Sequence, residues 1–211
     1  MAKSASAKVV SFGALSLSVL PHVYEPAEDS FLLATYASSL SGSILEIGCG
    51  SGIVSLSAAQ ANPKNSVLGV DINPKAVKCA GANAAANGIK NATFRKSDMF
   101  SEIPTSQKFD FILFNPPYLP TTRAQRLLSP DENAAYDGGA SGLIVSKEFI
   151  MASPAHLKKG GRVAVIATSL GNGIEKTLAL LESRVGKAGI LAQESFFFEK
   201  IALIEAKRGP K

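Results

Sequence analysis

From Ser43 onward, short apolar runs alternate with stretches whose apolar residues recur at helical spacing. Ser43–Ile47 is a compact apolar run that ends in glycines, the pattern of a buried strand. Ile53–Ala61 reads as a helix stopped by Asn62-Pro63, and residues 66–70 form a second strand with Asp71 at its carboxyl end. Pro74 suits a first helical turn, where its missing N–H is not needed, and opens an alanine-rich helix reaching about Asn87-Gly88. Residues 92–94 are a brief strand leading to Asp98, and Phe109–Phe114 is a strong strand that stops at Asn115-Pro116-Pro117. Residues 142–157 read as a helix, 161–168 as a strand and 173–185 as a helix. The segments 190–198 and 200–206 follow as two adjacent strands.

Strands alternating with helices predict an α/β fold, a doubly wound, mostly parallel sheet of about seven strands with helices on both faces. Two final strands with no helix between them predict an antiparallel closing strand. Nothing divides the chain, so residues 1–211 read as one domain, with residues 1–22 as an N-terminal extension. Residues 119–140 carry prolines, arginines and a glycine pair without periodicity, and a loop of that length in a compact domain points to substrate handling.

The N-terminal extension carries a trap. Lys3 and Lys8 precede apolar residues 9–20, a distant likeness to a secretion signal, but Ser11, Ser16 and Ser18 interrupt the run in a spacing that suits a strand or irregular segment. No run reaches the eighteen or so apolar residues of a membrane span.

Composition narrows the setting more than the chemistry. At 46% hydrophobic and 18% charged, 211 residues can bury a core without staples. Cys49 and Cys79 are too few for a disulfide framework and, with His22 and His156, lack metal-ligand spacing, so a reducing, cytoplasmic setting is expected. The net charge of +5 owes much to Lys3, Lys8, Lys207, Arg208 and Lys211. It is compatible with nucleic acid or ribosome-associated partners, and equally with solvated basic ends.

Four signals fall at the carboxyl ends of strands, where open α/β sheets bind ligands. Glu46-Ile47-Gly48-Cys49-Gly50-Ser51-Gly52 lets the backbone turn tightly and a ligand approach closely. Its spacing departs from the dinucleotide fingerprint, whose third glycine would fall at Ile53, and so suits a ligand without a pyrophosphate but with a cationic amino-acid end, near Glu46. A generic tight turn is the plain alternative. Asp71, some twenty residues on, is placed to accept bonds from two ribose hydroxyls, or else to cap the helix that Asn73-Pro74 opens. Asn73 can do the capping. Asp98, the backbone of Met99 and the side chain of Ile72 could supply an acceptor, a donor and an apolar face to adenine, or could form an ordinary surface turn.

Asn115-Pro116-Pro117-Tyr118 is the most specific signal. A planar nitrogen is a poor nucleophile because its lone pair is delocalised. The side-chain carbonyl of Asn115 and the backbone carbonyl of Pro116 can each accept one of its N–H groups, fixing its direction. The prolines stiffen the loop, and Tyr118 offers a face to stack on the planar group.

The glycine turn, the strand-end acids and Asn-Pro-Pro-Tyr together resemble the Rossmann-like, seven-strand methyltransferase fold. Val23-Tyr24-Glu25-Pro26-Ala27-Glu28-Asp29-Ser30-Phe31-Leu32-Leu33 resembles the segment before the first strand of HemK-type protein-(glutamine-N5) methyltransferases. The resemblance runs from Val23 to the last strands. Only about twenty residues precede it, where bacterial members carry a helical domain, which is similar to the short archaeal and eukaryotic branch.

The resemblance implies S-adenosyl-L-methionine as cofactor and the glutamine of the Gly-Gly-Gln motif of a class 1 peptide release factor as substrate. It implies Ser30, Glu46, Gly48 and Gly50 at the methionine end, Asp71 on the ribose, and Ile72, Asp98 and Met99 at the adenine. Asn115 would touch both cofactor and substrate, with Pro116 and Tyr118 completing the catalytic loop. It further implies a small zinc-binding activator protein as partner. At Tyr136-Asp137-Gly138-Gly139, where some relatives have Trp-Ala-Gly-Gly, the carboxylate of Asp137 is a departure that bears on substrate recognition.

Other functions remain open on the residues alone. Asn-Pro-Pro-Tyr suits the exocyclic amine of adenine or guanine in DNA or RNA equally well, although no dense cluster of arginine, lysine and aromatics accompanies it. Similar enzymes that methylate lysine put a third acceptor in play, and a non-catalytic cofactor-binding subunit is a fourth reading. Asp29 and Asp137 are the candidate proton acceptors. Phe196-Phe197-Phe198 reads as strand core and edge, Cys49 as a small buried residue, and His156 as a partner of a helix dipole.

Overall fold

Seven strands hydrogen-bond into one sheet in the computed structural model, which describes residues 8–117, 143–196 and 198–209. In chain order the described elements are β1 (Lys8–Phe12), β2 (Leu15–Val19), α1 (Glu28–Ala37), β3 (Ser43–Ile47), α2 (Ile53–Ala61), β4 (Ser66–Asp71) and α3 (Pro74–Ala86). There follow β5 (Ala92–Lys96), β6 (Phe109–Phe114), α4 (Ile144–Ala152), β7 (Leu157–Thr168), α5 (Gly173–Arg184), β8 (Ala188–Ser195) and β9 (Lys200–Lys207).

Across the large sheet the order is β5-β4-β3-β6-β7-β9-β8. The chain enters at β3, steps outward to β4 and β5, and returns to lay β6 on the other flank of β3. That reversal makes the crevice between β3 and β6 the switch point at which such sheets bind ligands. β9 runs antiparallel between β7 and β8, so the two last strands close the sheet as their pattern predicts.

The strands read as continuous apolar runs because both faces of the sheet are covered. Ile44, Val67, Leu113, Ala164 and Leu203 point to one face, where they meet Leu33 of α1 and Ile53 and Leu56 of α2. Leu45, Leu68, Ile112, Val163 and Ile204 point to the other, against Phe149 and Ile150 of α4 and Ile174 and Leu181 of α5. Each fully buried aliphatic chain contributes about 1.5–3 kcal/mol, so this two-faced core carries most of the fold. Gly69 in β4 is needed for packing: a Cβ there would lie 2.6 Å from the ring of Phe94.

The N-terminal extension is a β-hairpin in a sheet of its own. Gly13 takes φ 56° at its two-residue turn, and β2 alternates strictly, with Leu15, Leu17 and Val19 inward and Ser16 and Ser18 outward. Its free edge is not left to water. Asn83 exchanges two bonds with the backbone of Ser18 (2.9 and 2.9 Å), and Asn87 does the same with Ser16 (3.0 and 2.9 Å). Positions i and i+4 of a helix rise about 6 Å, and i and i+2 of a strand about 6.6 Å, so two asparagines one turn apart match alternate strand residues.

Three expectations are corrected. Residues 142–157 are not one helix: α4 ends at Ala152, a 3-10 turn spans Ser153–His156, and Leu157 already belongs to β7. Pro154 lacks the N–H an α-helix would need there. His156 does not serve a helix dipole; it is buried and stacked on Phe100, ring centroids 4.6 Å apart. β8 ends at Ser195, so Phe196 and Phe198 lie in the turn to β9, closed by a bond from Phe196 N to Glu199 O (2.8 Å), with Phe198 93% exposed. Apolar pattern there does not mean burial, because a hairpin tip has no second layer over it. Helix α1, which begins within the segment 23–33 and runs to Ala37, is an element the periodicity did not predict. Its apolar spacing is shortened by Glu28-Asp29-Ser30 at its start.

Candidate active site

Register brings the candidate residues to one edge. Ile47 lies opposite Val70 on one side and Phe114 on the other, while Asp71 lies opposite Lys96. The glycine turn, Asp71-Ile72, Ser97-Asp98 and Asn115 therefore leave the sheet side by side.

The glycine turn is held from below and from beside. Gly50 takes φ 53°, and a Cβ on it would meet nothing within 4 Å, so this stretch of backbone is open to a ligand. Its N–H donates to Asp71 Oδ2 at 2.9 Å, and Asp71 Oδ1 accepts the N–H of Asn73 at 2.9 Å. Asn73 caps α3 through its own side chain, accepting from Lys75 N at 2.9 Å. Each carboxylate oxygen of Asp71 thus keeps a lone pair for a further donor, while burial raises its pKa. Ile72 follows with its side chain 45% exposed beyond the strand end.

Glu46 lies opposite Gly69, two residues before Asp71 and on the same face of the sheet. The N-cap of α2 is Gly52, which has no side chain to cap with, and the Glu46 carboxylate takes that place by accepting both N–H and O–H of Ser55, the N–H at 2.9 Å. Complete burial pushes its pKa up to about 8, and the bonds from Ser55 only partly oppose this. Cys49 is buried beside it with its thiol pKa raised by desolvation, which leaves it inert as a nucleophile.

Beyond β5, Ser97 N donates to Asp71 O at 3.0 Å, fixing the turn against the neighbouring strand. Asp98 is exposed, its backbone N–H taken by Ser101 Oγ at 3.2 Å, and Met99 adopts φ 48°. These two stand farther out than the rest.

Asn115 terminates β6. Its Nδ2 donates to Ser30 Oγ at 3.4 Å, and its Oδ1 is buried without a hydrogen-bond partner among the described residues. The two prolines explain why. An asparagine ending a strand ordinarily satisfies its Oδ1 on the backbone N–H two residues on. Pro117 holds that position and has no N–H, and neither has Pro116. The sequence thus denies the acceptor its local donors and keeps it for something else. Tyr118, the loop 119–140 with Tyr136 and Asp137, and Phe197 lie outside the described residues.

Sequence reasoning missed the support behind Ser30. Asp29, 2% exposed, accepts from Ser30 N at 2.6 Å, Ser30 Oγ at 3.1 Å and the Tyr24 hydroxyl at 3.0 Å. These donors make the carboxylate a firm anchor for the start of α1. A tyrosine five residues before a buried aspartate, next to a serine in a first helical turn, is the signal that could have found it. Among the described residues no group of three His, Cys, Asp or Glu could hold a metal, and no helix is long and apolar enough to cross a membrane.

An open glycine turn, a strand-end carboxylate with spare lone pairs and an orphaned carboxamide oxygen, gathered at the switch point, define a Rossmann-like methyltransferase site. Comparison with known proteins agrees. Residues 27–131 match the methyltransferase small domain. The chain is 40% identical, over 95% of its length and 99% of the other's, to a Methanocaldococcus jannaschii protein provisionally named a protein N5-glutamine methyltransferase. It is 32% identical over 83% of its length to the release factor glutamine methyltransferase of Geobacter sulfurreducens, and spans 62% of that protein. In structure it resembles the E. cuniculi Mtq2-Trm112 complex responsible for methylation of the eRF1 translation termination factor (TM-score 0.67, 23% identity, 89% of this chain and 99% of that one). It also resembles the T. thermophilus 16S rRNA N2 G1207 methyltransferase bound to AdoMet and guanosine (TM-score 0.69, 20% identity, 96% of this chain and 50% of that one). The chain belongs to the HemK-type family of S-adenosylmethionine-dependent methyltransferases.

Proposed function

We propose that this enzyme methylates the side-chain amide nitrogen of glutamine in the Gly-Gly-Gln motif of a class 1 peptide release factor. The observation that carries the reading is the Oδ1 of Asn115, buried and without a hydrogen-bond partner among the described residues. Leaving such a group unsatisfied costs about 1–3 kcal/mol, and a substrate N–H relieves that cost on binding. The names borne by the archaeal and Geobacter relatives support the same acceptor.

The residues fit the methyl donor. Asp71 has a free lone pair on each oxygen for ribose hydroxyls, the Gly48–Gly50 backbone leaves room at the turn, and Ile72 offers an apolar face to a base. Ser30 and Glu46 would stand at the methionine end, with Asp98 and Met99 at the adenine. S-adenosylmethionine, when bound, supplies an electrophilic methyl on a positively charged sulfur. The chain's own part is positioning. Asn115 Oδ1 accepts one amide N–H, the carbonyl of Pro116 accepts the other, and Tyr118 stacks on the amide plane. Two acceptors turn the nitrogen lone pair along one line and hold it there, so the step gains from orientation and excluded water. The amide proton passes to solvent after transfer. Residues 119–140 would bind the substrate around the glutamine, and residues 1–211 would act as one domain.

A small zinc-binding activator protein is part of this proposal, supported by the Trm112 partner of the E. cuniculi Mtq2 structure. Mass spectrometry of a release factor incubated with enzyme and donor, with and without the activator, tests both. The expected result is a single added methyl on the Gly-Gly-Gln glutamine; no added methyl under either condition would sink the assignment.

One observation favours a second acceptor. The guanosine-bound T. thermophilus structure concerns a guanine N2 amine, which is also a planar N–H donor, and the chain is 27% identical to the ribosomal RNA small subunit methyltransferase C of Escherichia coli. Methylation of bare ribosomal RNA, falling steeply with salt, would select it.

A further inference from the structure

Asn115 is useful to a planar N–H donor only if its oxygen, not its nitrogen, faces the substrate. The two ends of a carboxamide are nearly the same size, so packing alone selects poorly between them. Something must set the direction, and the hydrogen bonds behind Asn115 form a chain that does so.

We propose that Asp29 is a positioning residue that, acting through Ser30, fixes which end of the Asn115 carboxamide faces the substrate nitrogen. This rests on the proposed role of Asn115 as an acceptor of a substrate N–H. An ionised carboxylate can only accept. Asp29 therefore takes the Ser30 hydroxyl proton, at 3.1 Å, and is itself held by Tyr24 at 3.0 Å and Ser30 N at 2.6 Å. With its proton committed, Ser30 Oγ presents a lone pair to its remaining neighbour, Asn115, 3.4 Å away. Only the Nδ2 end of Asn115 can meet a lone pair. Oδ1 is thereby turned the other way, into the position where it is buried and unpartnered. Pro116 and Pro117 complete the arrangement by offering no local N–H that would draw Oδ1 back. The carboxylate thus polarises a row of three side chains in one direction, from α1 to the end of β6.

Cutting the row at its source tests it. Asp29→Ala removes the oxygen that accepts from both Ser30 N and Ser30 Oγ, which frees the serine proton for Asn115 Oδ1 and invites Nδ2 toward the substrate. The expected outcome is a fall in kcat of about tenfold or more, as for loss of an interaction made in the transition state. Binding of S-adenosylhomocysteine by calorimetry should stay within about threefold, and substrate KM should change little. Ser30→Ala should lose a similar amount, Ser30→Thr should keep kcat within about threefold, and Asp29→Ala in the Ser30→Ala background should cost almost nothing more.

Wild-type kcat in Asp29→Ala, or single-variant losses that multiply in the double variant, overturns the proposal. If Asp29→Ala does not fold, the pair Ser30→Ala and Ser30→Thr decides: equal rates in the two overturn it. The acceptor reading fails separately. A wild-type enzyme that methylates guanine and leaves the release-factor glutamine untouched refutes the substrate, and the same four variants assayed on that RNA still decide the row.

Discussion

Asp71 Oδ2 accepts the backbone N–H of Gly50 at 2.9 Å, so the carboxylate at the end of β4 and the open glycine turn after β3 form a single unit. Removing one disturbs the other. Asp71→Ala leaves the Gly50 and Asn73 amides unpaired and removes the acceptor proposed for two ribose hydroxyls. Charge-assisted bonds are worth about 1.5–3 kcal/mol each, so S-adenosylhomocysteine affinity should fall at least about tenfold in calorimetry. Unaltered affinity would place the ribose elsewhere.

Pro117 is expected to matter through what it lacks. Pro117→Ala restores an N–H two residues after Asn115, where it can close on Oδ1 and occupy the acceptor. We expect kcat to fall about tenfold with cofactor affinity preserved, and Pro116→Ala, which retains its carbonyl, to lose less. Asn115→Ala should abolish turnover by about a hundredfold or more. Steady-state kinetics on the methyl acceptor rank the three, and equal losses for both proline variants would refute the donor argument.

Glu46 predicts a pH dependence. Its folded pKa of about 8 lies above the ordinary 4.5, so the folded chain holds a proton that the unfolded chain releases between those values. The stability it contributes is complete below about pH 4.5 and is lost as pH rises through 8. Glu46→Gln keeps an acceptor for Ser55 and cannot titrate. Its melting temperature should decline less than that of the wild type between pH 5 and pH 8, a window inside that set by about 4.5 and 8. Parallel melting curves for the two proteins would refute the assignment.

Asn83 is the tie between the hairpin and the nucleotide end of the sheet. It is buried, bonds both backbone groups of Ser18 and donates to Ser51 O at 2.9 Å. Asn83→Ala strands Ser18 N and Ser51 O, leaves Ser18 O to the Cys79 thiol, and should destabilise the protein by about 2–4 kcal/mol in urea unfolding. A loss below 1 kcal/mol, roughly the value of one net hydrogen bond, would mean that the hairpin docks by its leucines alone.

Much of this protein is legible in one dimension. β3, α2 and β6 fall where apolar runs and turn residues put them, because a strand buried on both faces must be apolar throughout. Asn115-Pro116-Pro117-Tyr118 stands out chemically, since a side-chain carbonyl, two stiff prolines and an aromatic face suit a planar N–H donor. Glu46, Gly50 and Asp71 stand out at strand ends by spacing alone.

Tertiary structure decided what joins these pieces. That Glu46 caps a helix, that Asp71 holds the glycine turn, and that Asn83 and Asn87 grip a separate hairpin depend on partners up to 71 residues apart. The direction of the Asn115 carboxamide depends on Ser30, 85 residues away. A sequence pattern records which side chains can donate or accept. Only the folded arrangement determines which donor meets which acceptor, because a hydrogen bond exists within about 3 Å and along one line.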